Sequence, residues 1–290
     1  MNPTPIDYLH IDGRDFYVKR DDLYDPFLAG NKYRKLYTLL QIPKSSLKTV
    51  LSYGGTQSNA MLAIAALCHQ KGWDFIYYTK QLSNTQKQQD NGNYAQALAL
   101  GMIHKEIQND LYKEFIASLR VIQDESTVII DQGGAVASAQ EGVRVLAQEI
   151  QHQVKFLPKS LKAVATPSGT GTTALFLAQN LSEYTVYTTP LIGDCAYLKA
   201  QMEVLAPIPN NLIILDPKKK YPFAKPQKEF FEIYKKLQHA GIEFDLLYAP
   251  LMWKMLLENT TEEILYIHSG GITGNATMLQ RYEKKLQLSL

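Results

Sequence analysis

The chain has 290 residues, 46% of them hydrophobic, and its 30 basic and 28 acidic residues leave a net charge of +2. A chain of this length and composition can bury a large core, as one large domain or two modest ones. Its lysines and arginines are dispersed, so it lacks the basic patch that is typical of binding to nucleic acid or to an anionic membrane. We therefore expect neither nucleic acid nor a membrane as a partner.

Cysteines and histidines give no sign of a metal or redox site. Cys68 and Cys195 are far apart and lack the short spacing of metal sites and redox dithiols, so we expect free thiols in a reducing cytoplasm. The six histidines show no metal-ligand spacing, and no metal is expected. The first residues lack a basic patch followed by an apolar core, and no uncharged apolar run of about 18 residues occurs. Secretion and membrane spanning are both disfavoured.

Short apolar, β-branched runs bounded by turn residues predict a series of buried strands. They cover residues 16–20, 49–54, 74–79, 127–131, 162–167, 184–192, 211–215 and 263–268. Helical periodicity occurs between most of them, for example at residues 58–72, 93–101, 139–154 and 228–241. Strands that alternate with helices predict an α/β fold with parallel sheets covered by helices.

Two glycine-rich turns, SYGGTQSN at residues 52–59 and TPSGTGTTA at residues 166–174, each follow a predicted strand and open a predicted helix. We expect each turn to belong to its own sheet. Backbone N–H groups that converge at a helix N-terminus bind carboxylate or phosphate well. An alternative for the first turn is that Ser58 or Asn59 simply caps the helix, since both are preferred cap residues.

The second turn has a rival interpretation as a nucleotide site. Gly169, Gly171 and Ala174 fit the glycine pattern of a dinucleotide-binding turn, and Asp194 lies at the right distance along the chain for a ribose contact. Asp194, however, lies past the next apolar run, in a turn that contains glycine. A nicotinamide cofactor is therefore the less favoured alternative.

Residues 19–36 end a predicted strand, turn through Gly30-Asn31 and open a helix that carries Lys32. A lysine at this place points into the crevice at the end of a sheet, where α/β folds bind ligands. Taken alone, Lys32 beside Arg34 and Lys35 is more typical of a solvated basic face, because lysine is seldom buried.

Four blocks of sequence together resemble one enzyme family. They are KRDD with AGNKYRKL (19–22 and 29–36), SYGGTQSNA (52–60), PSGTGTT (167–173), and LLYAP with IHSGG (246–250 and 267–271). In this order they resemble the 1-aminocyclopropane-1-carboxylate deaminases and D-cysteine desulfhydrases, pyridoxal-phosphate enzymes of the tryptophan-synthase-β fold type. The resemblance covers nearly the whole chain.

The resemblance implies an architecture of two open, twisted α/β domains. Residues 1–43 and 133–290 would form a larger cofactor-binding domain, and residues 44–132 a smaller one. Pyridoxal 5′-phosphate would lie in the cleft between them, where such sites are common. A homodimer is also expected, because it is common in this family.

The resemblance further implies a role for each block. Lys32 would hold pyridoxal 5′-phosphate as a Schiff base, and desolvation would help to keep its amine neutral. With Ser58 and Tyr248, which would transfer protons, Lys32 makes up the implied catalytic set. Asn59 would contact the 3-hydroxyl group of the pyridine ring. The implied substrate-binding residues are Thr56, Gln57, Ser58 and Asn59, and the further cofactor-binding residues are Gly169, Thr170, Gly171, Thr172 and Ser269.

Departures from the family pattern bear on the substrate. Members that act on the cyclopropane substrate usually have Glu after the tyrosine and Leu in the H-x-G-G block, where this chain has Ala249 and Ser269. A carboxylate at the pyridine nitrogen favours a pyridinium and hence a strong electron sink, whereas a serine hydroxyl only donates to a neutral nitrogen. β-Elimination of a thiolate needs a weaker sink than ring opening does. The residues favour D-cysteine-desulfhydrase-like elimination from a small amino acid, giving a 2-oxo acid and ammonia.

Two alternatives stay open at this point. One is 1-aminocyclopropane-1-carboxylate deaminase. The other is a non-catalytic pyridoxal-phosphate-binding protein, because the glutamate is missing and Phe223-Ala224-Lys225-Pro226 replaces the family's Tyr-Gly-x-Pro. Ala60, in place of the histidine that often follows QSN, also allows a substrate other than the two named. His268 is expected to be a hydrogen-bonded core residue without a chemical role.

Overall fold

The computed structural model describes residues 3–28, 30–88, 90–119, 121, 125–134 and 139–286. Its strands are β1 (Ile6–Ile11), β2 (Arg14–Lys19), β3 (Thr49–Tyr53), β4 (Asp74–Lys80), β5 (Ile103–Ile107), β6 (Thr127–Ile130), β7 (Ala163–Ala165), β8 (Thr185–Thr188), β9 (Leu212–Ile214) and β10 (Ile264–Ile267). Its helices are α1 (Gly30–Lys35), α2 (Tyr37–Gln41), α3 (Asn59–Lys71), α4 (Asn84–Lys87), α5 (Gly92–Ala99), α6 (Tyr112–Leu119), α7 (Ala139–Gln153), α8 (Thr172–Asn180), α9 (Cys195–Glu203), α10 (Lys228–His239), α11 (Ala249–Asn259) and α12 (Asn275–Leu286).

The strands form two sheets. The larger has the order β1-β2-β10-β7-β8-β9, and the smaller has the order β5-β4-β3-β6. All neighbouring strands run parallel except β1 and β2, which are antiparallel. Each of the two glycine-rich turns follows a strand of a different sheet. The predicted α/β fold with two open parallel sheets is therefore confirmed.

The smaller sheet uses one continuous stretch of chain, and the larger sheet uses the chain on either side of it. This arrangement is compatible with the expected domains, whose boundaries stay a prediction. Residues 1–2, 29, 135–138 and 287–290 of the expected larger domain, and residues 89, 120 and 122–124 of the expected smaller one, lie outside the described residues.

Strands β1 and β5 were not predicted from the sequence. Strand β1 pairs with β2 in a hairpin whose turn residues, Asp12 and Gly13, have φ angles of 48° and 75°. Asp-Gly is a preferred pair for such a two-residue turn, so the signal was present in the sequence. Strand β5 is partly exposed along its length, and its sequence IHKEI lacks a continuous apolar run.

Helix α3 is the centre of the smaller sheet's core. It begins after Ser58, whose hydroxyl accepts the Met61 N–H at 3.2 Å, and it ends at Gly72, which adopts a φ of 70°. Residues 60–68 of this helix are all buried. A helix that is apolar on all sides needs cover on all sides, and α5 and the sheet provide it.

Helices cover both faces of the larger sheet, with α7 and α8 on one side and α10 and α11 on the other. Trp253 of α11 is fully buried, in edge contact with Phe16 of β2 at 4.9 Å and stacked on Tyr266 of β10 at 4.6 Å. Aromatic pairs of this kind add about 0.5–1.5 kcal/mol each beyond the area that they bury. These contacts hold helix α11 against β2 and β10, the neighbouring strands inside the larger sheet. Polar loops follow the carboxyl ends of these strands.

A buried network of charges fastens helix α1 to helix α7. Arg34 forms paired hydrogen bonds with Asp21 and with Glu149, at distances between 2.7 and 3.0 Å. Glu149 also pairs with Lys19 at 2.9 Å, and Lys19 is fully buried. Removal of one partner from such a network costs about 3–5 kcal/mol. Arg34 and Lys35 are 2% and 5% exposed, so the solvated basic face considered for this segment is wrong.

Among the described residues, none of the helices has the length and apolar character that crossing a membrane requires. Within the same ranges, no group of three or more His, Cys, Asp or Glu side chains is arranged to hold a metal ion. Cys68 and Cys195 are free thiols, as expected.

Candidate active site

A cavity of about 440 Å³ lies between the two sheets, at the carboxyl ends of β3, β6, β7 and β10. This is where open α/β sheets bind ligands. Its lining includes every predicted site residue except Thr56, which is 6% exposed and lies behind the wall. The residues brought together are Lys32, Gln57, Ser58, Asn59, Gly169, Thr170, Gly171, Thr172, Tyr248 and Ser269.

Lys32 enters the cavity from helix α1. Its Nζ donates a hydrogen bond to Asn31 Oδ1 at 2.7 Å. Burial lowers the pKa of Lys32 from 10.5 to about 8, against a smaller opposing effect of Asp245. A lysine with a pKa near 8 has an appreciable fraction of neutral, nucleophilic amine close to neutral pH.

Lys35 is a buried lysine on the cavity wall, one helical turn after the partly buried Lys32. Its Nζ donates to Gly133 O at 3.1 Å and to Thr170 Oγ1 at 3.4 Å. Burial, with a further contribution from the charge of Lys32, lowers the pKa of Lys35 well below its ordinary value. The sequence analysis considered Lys35 only as a cationic neighbour that could lower the pKa of Lys32, and it did not identify Lys35 as a phosphate-binding residue, although residues three apart on a helix share a face.

The loop from Ser168 to Thr173 faces Lys35 at the N-terminus of helix α8. Thr170 Oγ1 and Thr172 Oγ1 are 3.0 Å apart, and the buried Thr173 Oγ1 has no partner among the described residues. Gly171 has a φ of 76°, and a Cβ on it would be 2.5 Å from a side chain of α9. Hydroxyls, backbone N–H groups and an ammonium that converge at a helix N-terminus suit a phosphate group.

The loop from Gly54 to Asn59 forms the neighbouring wall. Gly54 has a φ of 147°, and a Cβ on it would be 2.6 Å from Tyr77 Oη, so the turn requires glycine. Ser58 caps helix α3, which confirms the capping interpretation, and it lines the cavity as well. Gln57 Oε1 is buried without a partner in the described part of the chain. The loop can therefore serve both the helix and an anionic ligand.

Tyr248 lies on the opposite wall, where helix α11 begins. Asp245 Oδ1 accepts the N–H groups of Leu247 at 3.0 Å and Tyr248 at 2.6 Å, which fixes the turn that carries the phenol. Burial raises the pKa of Asp245 to about 6 and raises the pKa of the Tyr248 phenol as well. Tyr248 is consequently a proton donor at neutral pH and not a base.

Ser269 follows β10 and supports the start of helix α1. Its carbonyl oxygen accepts the Asn31 N–H at 3.4 Å. A Cβ on Gly30 would be 2.1 Å from that carbonyl group, so only glycine allows the helix to come this close. The position of Lys32 in the cavity therefore depends on the backbone of the Ser269 loop.

His268 and Ala249 lie behind the cavity and not on its wall. His268 is 1% exposed, accepts the Gly270 N–H on Nδ1 at 3.1 Å and lies 2.8 Å from Glu243 O through Nε2. It is a hydrogen-bonded core residue, as expected. Ala249 is 1% exposed and packs in the apolar cluster around Trp253. Of the two departures from the family pattern considered above, only Ser269 faces the cavity.

Aromatic side chains stand at the mouth of the cavity. Phe223 and Tyr197 are 39% and 47% exposed, and the Phe223 ring lies edge-on to Tyr248 at 5.5 Å. On the wall formed by the smaller sheet, Tyr53 Oη donates to Asp131 Oδ1 at 3.0 Å. The sequence analysis identified neither Tyr53 nor Asp131, because no local pattern indicates that the carboxyl ends of β3 and β6 are neighbours.

Asp194, the residue that a nucleotide site would need, has a structural role. Its Oδ1 accepts the Tyr197 N–H at 2.8 Å and caps helix α9.

Relatives of this chain are named as a deaminase and as a desulfhydrase. A protein from Thermotoga maritima named for 1-aminocyclopropane-1-carboxylate deaminase is 26% identical over 94% of this chain and 95% of its own. A D-cysteine desulfhydrase from Serratia proteamaculans is 25% identical over 91% of this chain and 88% of its own.

Solved structures share the fold. The crystal structure of a 1-aminocyclopropane-1-carboxylate deaminase homologue has a TM-score of 0.78 at 23% identity, covering 97% of this chain and 94% of that one. A hydrogen-sulfide-producing enzyme from Fusobacterium nucleatum has a TM-score of 0.62 at 12% identity, covering 93% and 96%. Residues 1–204 match the family model described as pyridoxal-phosphate-dependent enzyme. The protein thus belongs to the pyridoxal-phosphate-dependent enzymes.

Proposed function

We infer that this protein is a pyridoxal-phosphate-dependent lyase that eliminates the β-substituent of a small amino acid, in the manner of a D-cysteine desulfhydrase. The observation that carries the inference is one cavity that unites a partly buried lysine of lowered pKa, Lys32, with donors suited to a phosphate around Lys35 and Thr170. The products are a 2-oxo acid and ammonia.

The residues present fit the cofactor. Thr173 Oγ1 has no partner in the described chain, and Lys35 has a carbonyl and a hydroxyl as its partners but no carboxylate. A phosphate would satisfy the hydroxyl, and its negative charge would favour the charged form of the Lys35 amine. Lys32 would hold the cofactor covalently, with Asn59 at the ring oxygen and Ser269 at the ring nitrogen. When bound, the cofactor supplies the electron sink for a carbanion at Cα.

The substrate carboxylate belongs at the loop of residues 54–59. The N-terminus of the 13-residue helix α3 attracts an anion there, and Gln57 and Ser58 offer polar side-chain atoms. The Ser58 hydroxyl accepts a backbone N–H and also has a hydrogen bond with Tyr77, so a relay role would need the Ser58 proton to turn from Tyr77 to the substrate. The carboxylate is thus held on the wall opposite Tyr248.

Proton transfer falls to Lys32, Ser58 and Tyr248. The pKa of about 8 makes Lys32 the base best matched to neutral pH, with Ser58 as a relay. Tyr248, whose pKa is raised by burial, donates to the substrate or to the departing group. In D-cysteine the Cα–H and Cβ–S bonds break, the sulfur leaves as sulfide, and water hydrolyses the resulting imine to pyruvate and ammonia.

Ser269 favours this elimination over opening of a cyclopropane ring. Among the described lining residues Asp131 alone is a carboxylate, and it follows β6 in the smaller sheet, whereas Ser269 follows β10 in the larger. A ring nitrogen beside a hydroxyl is not driven to the pyridinium form. A thiolate accepts charge as it leaves, so its loss tolerates the weaker sink.

The test is to assay the purified protein with pyridoxal phosphate against four substrates. They are D-cysteine, L-cysteine, β-chloro-D-alanine and 1-aminocyclopropane-1-carboxylate, with pyruvate, sulfide and 2-oxobutyrate measured separately. We expect D-cysteine or its β-chloro analogue to be turned over faster than the cyclopropane. Lys32→Ala should abolish turnover, while Lys199→Ala, on an exposed lysine of α9, should not change it.

The possible results separate the competing functions. Efficient ring opening without sulfide from either cysteine enantiomer would establish the deaminase alternative in place of ours. A Schiff-base absorbance band without turnover of any of the four substrates would favour a non-catalytic binding protein.

A further inference from the structure

Asn93, Asn59 and Thr273 form a chain of hydrogen bonds beside the cavity. Thr273 Oγ1 donates to Asn93 Oδ1 at 2.9 Å, and Asn93 Nδ2 lies 2.7 Å from Asn59 Oδ1 and 3.2 Å from the carbonyl oxygen of Gln57. Asn93 is fully buried. It belongs to helix α5 beside the smaller sheet, whereas Thr273 follows β10 of the larger sheet. The chain therefore joins the two walls of the cleft.

One backbone group determines how both amides are oriented. A backbone carbonyl such as Gln57 O can only accept a hydrogen bond, so the Asn93 atom that faces it must be the Nδ2 donor. The second hydrogen of the same Nδ2 points to Asn59, whose facing atom must then be the Oδ1 acceptor. The Thr273 hydroxyl supplies the donor that the remaining Asn93 Oδ1 needs.

The Asn59 amino group is consequently turned away from Asn93. Asn59 lines the cavity, and its Nδ2 has no hydrogen bond among the described residues. A Cβ on Gly271 would be 2.4 Å from this Nδ2, so glycine, with a φ of 89°, is needed to make room for it. The amino group is thus a donor presented beside the Ser269–Gly271 loop.

We propose that Asn93, supported by Thr273, is a positioning residue that keeps the Asn59 amino group directed at the ring oxygen of the cofactor and thereby favours the deprotonated form of that oxygen. The proposal rests on the proposed function, in which Asn59 contacts this oxygen. An N–H group binds an oxyanion by a charge-assisted hydrogen bond, which is about twice as strong as a neutral one. A reversed amide would present Oδ1 and favour the protonated hydroxyl instead.

The test is Asn93→Asp, which keeps the side-chain size but replaces the Nδ2 donor by an oxygen. The new carboxylate repels Gln57 O and Asn59 Oδ1, so the Asn59 amide is expected to reverse. We expect the affinity for pyridoxal phosphate to fall by about 10- to 100-fold, the range for a hydrogen bond to a charged group. The pH midpoint of the visible absorbance of the lysine-bound cofactor should rise, because the oxygen then holds its proton to higher pH.

Three further variants isolate the effect. Asn211→Asp is the matched control, because Asn211 Nδ2 donates to three carbonyl oxygens, each at 3.0 Å, away from the cavity. It should lower the stability of the cofactor-free protein without moving the absorbance midpoint. Thr273→Val should move the midpoint in the same direction as Asn93→Asp but less, and Thr273→Ser should restore it. In an Asn59→Ala background, Asn93→Asp should have no further effect on the midpoint.

The outcomes distinguish this proposal from the function on which it rests. A wild-type protein without a lysine-bound absorbance band would refute the proposed function. A wild-type band whose pH midpoint is the same in Asn93→Asp and in Thr273→Val would refute the positioning role alone. If Asn93→Asp does not fold, Thr273→Val decides the question by itself.

Discussion

Lys32 should destabilise the cofactor-free protein, and the size of this effect follows from its pKa. Folding lowers that pKa from 10.5 to about 8, which corresponds to roughly 3 kcal/mol. Below about pH 8 the lysine is charged in both states, and the folded state bears the full penalty. Between about pH 8 and 10.5 the unfolded chain holds a proton that the folded chain has lost, so stability rises with pH.

Lys32→Met removes this penalty together with the hydrogen bond to Asn31 Oδ1, which is worth about 1 kcal/mol. At pH 7 the cofactor-free variant should therefore be more stable than wild type by about 2 kcal/mol. The advantage should vanish as the pH approaches 10.5, the ordinary pKa of the lysine. The desolvation of Lys35 is present in both proteins and cancels from the difference, whereas the repulsion between Lys35 and Lys32 is lost in the variant and acts in the same direction as the expected gain.

Urea unfolding of the two cofactor-free proteins between pH 7 and pH 10 measures this difference. Lys199→Met, on an exposed helix position, controls for the loss of a lysine as such and should change stability by less than about 0.5 kcal/mol. Our reasoning would be refuted if Lys32→Met were less stable than wild type at pH 7. It would equally be refuted if the difference were independent of pH.

Two further predictions concern the loops of the cavity. Ser58→Ala and Tyr248→Phe should retain the visible absorbance of bound cofactor but lower kcat by roughly 10²–10⁴. Ser58→Asn keeps the helix cap, so equal kcat in Ser58→Asn and wild type would contradict a proton-transfer role for this serine. Gly171→Ala should lower the free energy of unfolding by about 1–2 kcal/mol, because its φ is 76° and its Cβ would meet Met202. Gly169→Ala has 3.5 Å to the nearest atom, on Tyr248, and should unfold like wild type in the same denaturant titration.

The fold could be predicted from the sequence where the local signals are strong. The strands of the two parallel cores are short apolar runs, and every predicted run corresponds to a strand of the structure. Strand β5 was not predicted, because its residues are partly exposed and charged residues interrupt its apolar pattern. Strand β1 was not predicted because the sequence analysis considered only short continuous apolar runs, whereas β1 alternates apolar with polar residues. Its Asp12-Gly13 turn was not considered either.

The candidate site, like the fold, could be predicted from the sequence only where the signal is local. Turns such as Gly169–Gly171 carry their chemistry in adjacent residues, and the sequence analysis identified them. Asn93 reaches Asn59 and Thr273 across large separations in sequence, and a single asparagine in a helix has no distinguishing local pattern. Lys35 can be identified as a site residue only when it is known that the face of α1 that carries Lys32 points into the cavity. Side chains that act by contacts between distant segments require the structure.

The order of strands in the larger sheet has a consequence for synthesis. Strand β10 comes last in sequence among the strands of the described residues, yet it lies between β2 and β7 and pairs with both. The four strands of the smaller sheet emerge one after another and can pair early, whereas β2 cannot pair with β10 until residues 264–267 have left the ribosome. Ser269, whose carbonyl oxygen accepts the Asn31 N–H at the start of the Lys32 helix, is synthesised just after that strand. The surroundings of Lys32 therefore cannot be completed before synthesis has passed Ser269.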